Sequence, residues 1–444
     1  MTDRKISRRA FVGDVALAGM AATVAPRGVL GRRRRASRDK LNVACIGVGG
    51  MGANDVDGVG DENVVALCDV DWSRAEETFA KYPKATRYRD FREMLETEGA
   101  NIDAVTISTP DHTHGVAALM ALRMGKHVYC QKPLARTIHE VREIAREAER
   151  AGVVTQMGNQ GHASDETRRI REWVEAGAIG TVRRVEYWTN RPIWPQGTDR
   201  PTEAHHVPPE LSWDLWLGPM PERPYHPAYA PFSWRGWWDF GTGALGDMAC
   251  HIMDAAYWAL DLGYPTRISP ESSQPYPETA PDASRVEFDF PARSGRPALT
   301  VVWRDGGLVP PRPADWPEEE RWPPGGSGQL WIGDDGTLVA GTYANNPRLS
   351  DPERHERLMA DPPEERYPRT DGVYDEWLTA CREGEKAGSD FVDYAAPFTE
   401  MVLLGNLAVR MGRTLELDPA TGQVTNVEVP EEYFRPPGRD GWSV

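Results

Sequence analysis

Short apolar runs alternate with amphipathic stretches along residues 41–160. Strands are predicted where the runs are rich in Val, Ala, Ile and Cys, at 41–46, 64–68, 104–107, 127–130 and 153–157. Helices are predicted between them, where apolar residues recur at helical spacing, at 74–81, 90–98, 114–124 and 138–151. Buried strands separated by helices indicate a parallel, doubly wound α/β sheet, the Rossmann arrangement.

The pattern changes after Gly158. Helices are predicted at 165–176, 371–381 and 397–411, and strands at 182–189, 284–290, 298–303, 328–332 and 336–341. Asp335-Gly336 suits a tight hairpin turn, which favours antiparallel neighbours. We therefore expect residues 161–444 to form an α+β domain with a mostly antiparallel open sheet, after an α/β domain at 41–160.

Residues 191–243 are rich in Trp, Pro and Gly and carry little periodicity. So many aromatic residues are atypical of a disordered segment, so we expect an ordered excursion over a binding cleft. The Trp rings would line such a cleft. Packing in a core or in a subunit interface is the alternative for each of them.

The first forty residues differ from the rest of the chain. Ser7–Val12 contains Arg8 and Arg9 and resembles the twin-arginine (Tat) motif, and the apolar run Val15–Ala25 follows it. This run is short for a membrane span and suits the core of a signal peptide. We expect residues 1–40 to be a Tat-type signal and linker that directs export to the periplasm by the Tat machinery. A basic disordered tail is the alternative.

Charge and cysteine content narrow the possible functions. The net charge is −16, although residues 1–40 hold eleven Lys or Arg against three Asp or Glu. The remainder has 40 basic and 64 acidic residues, and so acidic a surface repels phosphate backbones, which makes nucleic-acid binding unexpected. The five Cys include no CxxC pair, and most are expected to be small buried hydrophobic residues.

A glycine-rich turn follows the first strand and opens a helix. Gly47, Gly49 and Gly52 have the G-x-G-x-x-G spacing, in the strand–turn–helix context that dinucleotide binding requires. Gly47 permits the tight turn, Gly49 the approach of a pyrophosphate, and Gly52 close packing of helix on strand. The helix N-terminus then faces the anion. Gly50 and Met51 complete the predicted cofactor turn.

Asp69 lies seventeen residues after Gly52, at the end of the second predicted strand. An acidic group there can accept hydrogen bonds from the adenosine ribose and would repel a 2′-phosphate. The sequence therefore favours NAD over NADP. Asp71 is a weaker candidate for the same role.

Three further motifs carry a family resemblance. Thr109–His114, Gln131-Lys132-Pro133 and Gly241–His251 resemble hallmarks of the Gfo/Idh/MocA oxidoreductases. Gln156–Gln160 and Trp234–Trp238, with the Tat-like start, resemble an exported bacterial subgroup. The resemblance implies NAD(P)-dependent hydride exchange with sugars, glycosides or cyclitols, and assembly as a homodimer or homotetramer. It also implies that residues 41–160 bind the dinucleotide and that residues 161–444 serve substrate binding and oligomerisation.

The same resemblance assigns the catalytic groups. Lys132 would bind the reacting hydroxyl and tune proton transfer. The family commonly has Glu where this chain has Gln131, which removes a possible counter-charge from the lysine. Asp247 and His251 are four residues apart and share one face of a helix. The imidazole of His251 would take the alcohol proton. The carboxylate of Asp247 would orient that imidazole or bind a neighbouring hydroxyl.

Other site residues are predicted from their positions. Asp247 and His251 would alternatively supply metal ligands, completed by His205, His206 or His226. Arg235 and Trp238 are candidates for substrate binding, next to Lys132, Asp247 and His251. Further cofactor contacts are expected at predicted strand ends or just after them, from Ser108, Thr109, Pro110, Lys132, His114 and Asn159.

Export and a nicotinamide cofactor constrain each other. Free NAD is not expected to be maintained in the periplasm, so the cofactor would be loaded before export and held tightly. The leading hypothesis is a sugar or cyclitol dehydrogenase. The second is a glycoside hydrolase or lyase that uses NAD without consuming it, and the third is a nucleotide- and sugar-binding protein without turnover.

Overall fold

The computed structural model describes residues 40–442, apart from residues 275 and 294. The predicted signal segment lies outside the described residues. The part up to residue 157 is built on a six-stranded sheet in the order β3-β2-β1-β4-β5-β6, in which all pairs are parallel. Its strands are β1 Asn42–Ile46, β2 Asn63–Cys68, β3 Thr86–Tyr88, β4 Ala104–Ile107, β5 His127–Cys130 and β6 Thr155–Met157.

Helices alternate with these strands and confirm the predicted Rossmann pattern. They are α1 Met51–Gly58, α2 Trp72–Lys81, α3 Phe91–Glu98, α4 Asp111–Arg123 and α5 Ile138–Ala151. Helix α4 begins three residues before the predicted start. Pro110 occupies its N-cap position with an extended backbone, and the helix starts directly after it. Thr137 and Glu140 form a capping box at α5.

The second sheet has eight strands in the order β13-β12-β11-β7-β10-β9-β8-β14. All of its pairs are antiparallel except β7 with β10, which confirms the predicted mostly antiparallel sheet. The strands are β7 Val182–Thr189, β8 Arg267–Ser272, β9 Ser284–Phe290, β10 Leu299–Arg304, β11 Ser327–Gly333, β12 Gly336–Ala340, β13 Arg348–Leu349 and β14 Leu415–Glu416.

Eight further helices follow β6 in the described part of the chain, and one of them, α12, joins the two sheets. Helix α12 packs against α8, against α5 of the first sheet and against β8 of the second. The apolar side chains of both sheets therefore share one continuous core. These helices are α6 Asp165–Glu175, α7 Trp213–Leu217, α8 Gly243–Ile252, α9 Asp254–Ala259, α10 Pro352–Ala360, α11 Val373–Glu383, α12 Ala396–Met411 and α13 Glu431–Phe434.

Helix α11 completes the first sheet although it comes more than 200 residues later in the chain. Its Trp377 is fully buried in a cluster with residues of β1, α1 and β2. Beside it, Met157 of β6 donates its backbone N–H to Ser389 at 3.0 Å. The nucleotide-binding fold is thus finished by the C-terminal part of the chain.

All five cysteines are free and buried, as predicted. Among the helices of residues 40–442, none is long and apolar enough to cross a membrane.

Candidate active site

One cavity of about 920 Å³ runs from the glycine turn to the predicted catalytic groups. Gly47, Gly49 and Met51 line one end, and Lys132, Asp247 and His251 line the other. The long segment 191–243 contributes to the wall, as predicted for an ordered excursion over a cleft. Its lining residues are Arg191, Ile193, Trp194, Leu211, Leu215, Trp216, Ala230, Pro231, Phe232, Trp234 and Arg235.

The glycine turn is packed too tightly for side chains. A Cβ atom on Gly52 would lie 1.9 Å from the carbonyl oxygen of Gly47, and one on Gly47 would lie 2.7 Å from that of Ser108. Gly50, at φ 59°, is the N-cap of α1. A Cβ on Gly49 would also meet the backbone of Arg74 in α2, at 2.9 Å. Gly49 is therefore needed for packing against α2, beyond the predicted approach of a pyrophosphate.

The N-terminus of α1 fits a dinucleotide. No side chain of the described residues caps it, and Gly49 and Met51 beside it face the cavity. Backbone N–H groups in the first turn of a helix attract phosphate oxygens. The residues present thus suit the pyrophosphate of NAD(P).

Asp69 also holds the glycine turn in place. Its Oδ2 atom accepts hydrogen bonds from the N–H groups of Val48, at 2.8 Å, and Gly49, at 3.0 Å. Its Oδ1 atom accepts from the N–H of Asp71 at 2.9 Å. Asp69 lines the cavity, where its position is compatible with the predicted ribose contact. Asp71 instead caps α2.

Outside the glycine turn, two of the predicted cofactor residues do not reach the cavity. His114 is buried, and its two ring nitrogens lie 2.8 Å from the carbonyl oxygens of Pro133 and Thr109. Asn159 is fully buried and donates to Asp254 at 2.6 Å. Both side chains turn inwards, so their placement does not fit the predicted contact with a cofactor. Ser108, Thr109 and Pro110, which were also predicted to contact the cofactor, do line the cavity.

Lys132 and Asp247 form an ion pair at the opposite end. The Lys132 ammonium donates to Oδ1 of Asp247 and to its backbone oxygen, both at 2.8 Å. Nε of Arg235 lies 3.3 Å from the same Oδ1. Burial alone would raise the pKa of Asp247, but the two cations lower it to about 2. The carboxylate therefore stays charged at neutral pH.

His251 lies one turn after Asp247 on α8, as predicted, but its partners differ from the prediction. Asp247 is held by Lys132 and Arg235 rather than orienting the imidazole. The Nδ1 atom of His251 is buried and has no hydrogen-bond partner among the described residues. Burial and the nearby Lys132 lower the pKa of His251 to about 3, so the ring is neutral at neutral pH.

Asp111 belongs to the Thr109–His114 motif, but the sequence predicts no role for it. Its carboxyl lines the cavity and accepts a hydrogen bond from Thr242 at 2.8 Å. Burial raises its pKa to about 7, against the opposing effect of Lys132. The only sequence signal for a role in the site was its position shortly after the predicted strand 104–107.

Trp238, the aromatic residue predicted to bind substrate, does not line the cavity. It is buried with the guanidinium of Arg410 5.0 Å from its ring, so its placement does not fit substrate binding. Phe232 and Tyr343 line the cavity together with the tryptophans named above, and each of the two is 45% exposed. Tyr343 follows β12 and packs edge-on against His251, with ring centroids 4.8 Å apart. No periodicity in the sequence singled it out.

The histidines considered as extra metal ligands lie elsewhere. His205 and His226 pack against each other with ring centroids 4.6 Å apart, and neither they nor His206 line the cavity. Within residues 40–442 as described, no group of three His, Cys, Asp or Glu is arranged to hold a metal ion.

Comparisons with known proteins agree with this geometry. D-glucoside 3-dehydrogenase of Escherichia coli is 32% identical over 251 residues, which cover 56% of this chain and 62% of that protein. Myo-inositol 2-dehydrogenase of Thermotoga maritima is 28% identical over 158 residues, 35% of this chain and 47% of that protein. The chain therefore matches less than two thirds of the length of either relative.

Solved structures share the fold at low identity. The WlbA dehydrogenase from Bordetella pertussis, solved with NADH and UDP-GlcNAcA, matches with a TM-score of 0.60 at 17% identity, over 85% of this chain and 99% of that one. A levoglucosan dehydrogenase solved with NADH matches with a TM-score of 0.55 at 18% identity, over 85% and 98%.

Two family models cover most of the region around the cavity. Residues 41–159 match the oxidoreductase family model with an NAD-binding Rossmann fold, and residues 166–292 match the model for its C-terminal α/β domain. The chain belongs to the Gfo/Idh/MocA oxidoreductase family.

Proposed function

We propose that this chain transfers hydride between a hydroxyl-bearing carbon of a sugar, glycoside or cyclitol and a nicotinamide cofactor. The observation that carries the proposal is one continuous cavity, with the glycine turn at one end and Lys132, Asp247 and His251 at the other. Relatives that act on inositol and on glucosides support this substrate class.

The nicotinamide ring, when bound, supplies the hydride acceptor. Lys132 has three N–H donors and directs two of them to Asp247, which leaves one for the reacting hydroxyl. The charged carboxylate of Asp247 keeps the ammonium in place. His251 lines the same end of the cavity with an unpartnered Nδ1, which makes it the candidate to take the hydroxyl proton as the carbon is oxidised. Arg235, beside Asp247, can hold a neighbouring hydroxyl.

We propose NAD as the cofactor rather than NADP. The support is the carboxylate of Asp69 at the end of β2, which would repel a 2′-phosphate. Arg74 lines the same end and would favour the phosphate, so the choice rests on the balance of the two charges. Titration of the protein with NADH and with NADPH measures that balance, and tighter binding of NADPH would contradict the proposal.

The Tat-like start supports a further proposal on location. We propose that the protein is exported to the periplasm with its cofactor already bound. The cofactor would then be recycled within the site, either by oxidising one sugar and reducing another carbonyl, or by oxidation, elimination of an aglycone and re-reduction. A fusion of residues 1–40 to a reporter that requires Tat export tests the first step, and an Arg8→Lys/Arg9→Lys variant is its control.

Incubation of the purified protein with a panel of sugars, glycosides and cyclitols tests the activity. A dehydrogenase accumulates reduced cofactor or keto product, whereas release of an aglycone without net NADH indicates redox-neutral cleavage. Lys132→Ala should abolish either reaction while NADH still binds. Unchanged turnover in Lys132→Ala, or NADH binding without reaction on any of these substrates, would overturn the proposed activity.

A further inference from the structure

A short stretch of the excursion, residues 208–217, crosses the cofactor end of the cavity. We call it the roof segment; it ends with α7. On one side it pairs with the loop after β2. Leu211 forms an isolated β-bridge with Asp71, and the N–H of Ser212 donates to the carbonyl of Val70 at 2.8 Å. The carbonyl of Glu210 accepts from the N–H of Trp72 at 3.2 Å.

The other side of the roof segment rests on the start of α4. The carbonyl of Trp216 lies 2.7 Å from Nε2 of His112, and that imidazole is fully buried. Gly218, directly after the segment, is so close that a Cβ atom there would lie 3.0 Å from the methyl group of Thr113. The segment is thus fixed to the first turn of α4, a few residues after the end of β4.

The sheet order determines what lies beneath. Strand β1 runs between β2 and β4, and the glycine turn follows β1. A segment fixed to the loop after β2 and to the first turn of α4, which follows β4, therefore passes over the glycine turn. Ligands of open α/β sheets bind in this crevice, with the adenosine half of a dinucleotide next to the end of β2.

The underside of the roof segment is apolar and faces the cavity. Leu211, Leu215 and Trp216 line the cavity there, together with Val70 and Phe91 of the Rossmann part. An apolar lining of this kind suits the flat faces of an adenine ring.

Two contacts hold the roof segment from outside. Arg89 donates to the carbonyl of Glu210 at 2.7 Å and to its carboxylate at 3.2 Å. The C-terminal tail adds Arg439, which donates to Asp214 at 2.6 Å. Three residues further on, Trp442 is buried with the guanidinium of Arg92 3.8 Å from its ring.

We propose that the roof segment is part of the cofactor site: it covers the adenosine half of the dinucleotide, and release of the cofactor requires the segment to lift. The arrangement retains the cofactor over many turnovers by closing its exit. The proposal rests on the proposed function only for the identity of the cofactor. It makes no use of the predicted export.

The release rate of NADH tests the proposal. Protein loaded with NADH is mixed with lactate dehydrogenase and pyruvate, which oxidise free NADH as it leaves, and the nicotinamide absorbance is followed. We expect Glu210→Ala to release NADH several-fold faster than the parent, because Arg89 keeps only its backbone contact. Truncation after Gly438 removes Arg439 and Trp442 together, and we expect release at least tenfold faster.

Asp334→Asn is the matched control, since Arg183 and Asp334 form a similar exposed ion pair away from the cavity. Equal melting temperatures of Glu210→Ala and the control show that any change in release is not a loss of folding. Hydrogen exchange provides a second measurement: NADH should slow exchange at the amides of residues 211–216.

The outcomes separate the two proposals. Fast release from the parent, or release unchanged in both roof variants, would overturn the role of the roof segment and leave the proposed activity standing. Slow release without turnover of any sugar would overturn the activity and support the roof segment. A parent protein that binds neither NADH nor NADPH would overturn both, because the segment would then fill the crevice itself.

Discussion

The side-chain amide of Gln131 donates to both carboxylate oxygens of Asp55, each at 3.0 Å. Asp55 is fully buried in α1 and also accepts from Tyr374 at 2.6 Å and from the hydroxyl of Ser108. The residue that replaces the family's usual Glu is therefore matched to a buried carboxylate. Its side chain is engaged with the cofactor helix, while Asp247 supplies the counter-charge of Lys132.

Gln131→Glu should destabilise the protein at neutral pH. Two carboxyl groups about 3 Å apart in a buried site cannot both ionise, so one must take up a proton or the pair must separate. We expect a loss of about 2–4 kcal/mol in the free energy of unfolding, measured with urea. The loss should shrink as the pH falls.

Asp55→Asn in the same chain should recover most of that loss, because it restores one neutral and one acidic partner. Gln423→Glu, at an exposed position, is the control and should change stability by less than about 0.5 kcal/mol. A Gln131→Glu variant as stable as the parent at neutral pH would show that the carboxyl groups at positions 131 and 55 do not repel each other in the folded protein.

Asp111→Asn should change how stability depends on pH. The pKa of Asp111 is raised by burial from 3.8 to about 7, so between these values the unfolded chain has lost a proton that the folded chain keeps. The contribution of this group to stability is therefore greatest below about pH 4 and declines as the pH rises towards 7.

Urea unfolding of the parent and of Asp111→Asn across this range measures the difference. Relative to the variant, the parent should lose stability with rising pH, by up to about 1.4 kcal/mol per pH unit, and level off above pH 7. Histidines with lowered pKa values, such as His251, are present in both proteins, so their contributions cancel in the difference between the two unfolding free energies. Parallel curves would place the pKa of Asp111 near its ordinary value.

Asp247→Asn should impair turnover more than cofactor binding. The change removes the negative charge that lies within 3.3 Å of both Lys132 and Arg235. The reacting hydroxyl then meets a misplaced ammonium, and we expect kcat to fall about 100-fold. The Kd for NADH should change less than about threefold. Asp334→Asn should leave both quantities unaltered, and a large loss of NADH affinity in Asp247→Asn would indicate a cofactor role instead.

Tyr343→Ala should weaken substrate binding. Tyr343 lies in a tight loop whose neighbours Ala344 and Asn346 have positive φ angles of 62° and 51°. Such angles are unfavourable for residues other than glycine, which suggests that the loop serves the site. We expect KM for the sugar to rise about tenfold, as for the loss of one stacked ring, with a smaller change in kcat.

Tyr343→Phe separates the ring from its hydroxyl and should retain the parent KM if packing on His251 is what matters. Met359→Ala is the control, since this side chain is 49% exposed and lies outside the cavity. A KM unchanged in Tyr343→Ala would place the substrate away from this loop.

The features that sequence reasoning recovered are local ones. The glycine turn, the strand–helix alternation and the one-turn spacing of Asp247 and His251 all follow from residues close together in the chain. The mostly antiparallel second sheet was also predictable from its strand pattern and hairpin turn.

The features it missed depend on which way a side chain turns or on contacts between distant segments. Asn159 follows a strand end, as a cofactor residue would, yet its amide turns into the core to meet Asp254. Gln131 meets Asp55 across 76 positions, and Tyr343 reaches His251 from a loop beyond β12. The spacing of residues along the chain does not predict such pairs.

Helix α11 has a consequence for how the protein is made. The glycine turn leaves the ribosome early. Trp377 and Tyr374, which cover the apolar residues of β1, α1 and β2 around that turn, are synthesised hundreds of residues later. The nucleotide site therefore becomes complete only when translation is nearly finished. A fragment ending near residue 160 should expose an apolar face and aggregate. Cofactor capture is thus a late event in biogenesis, coupled to closure of the whole chain.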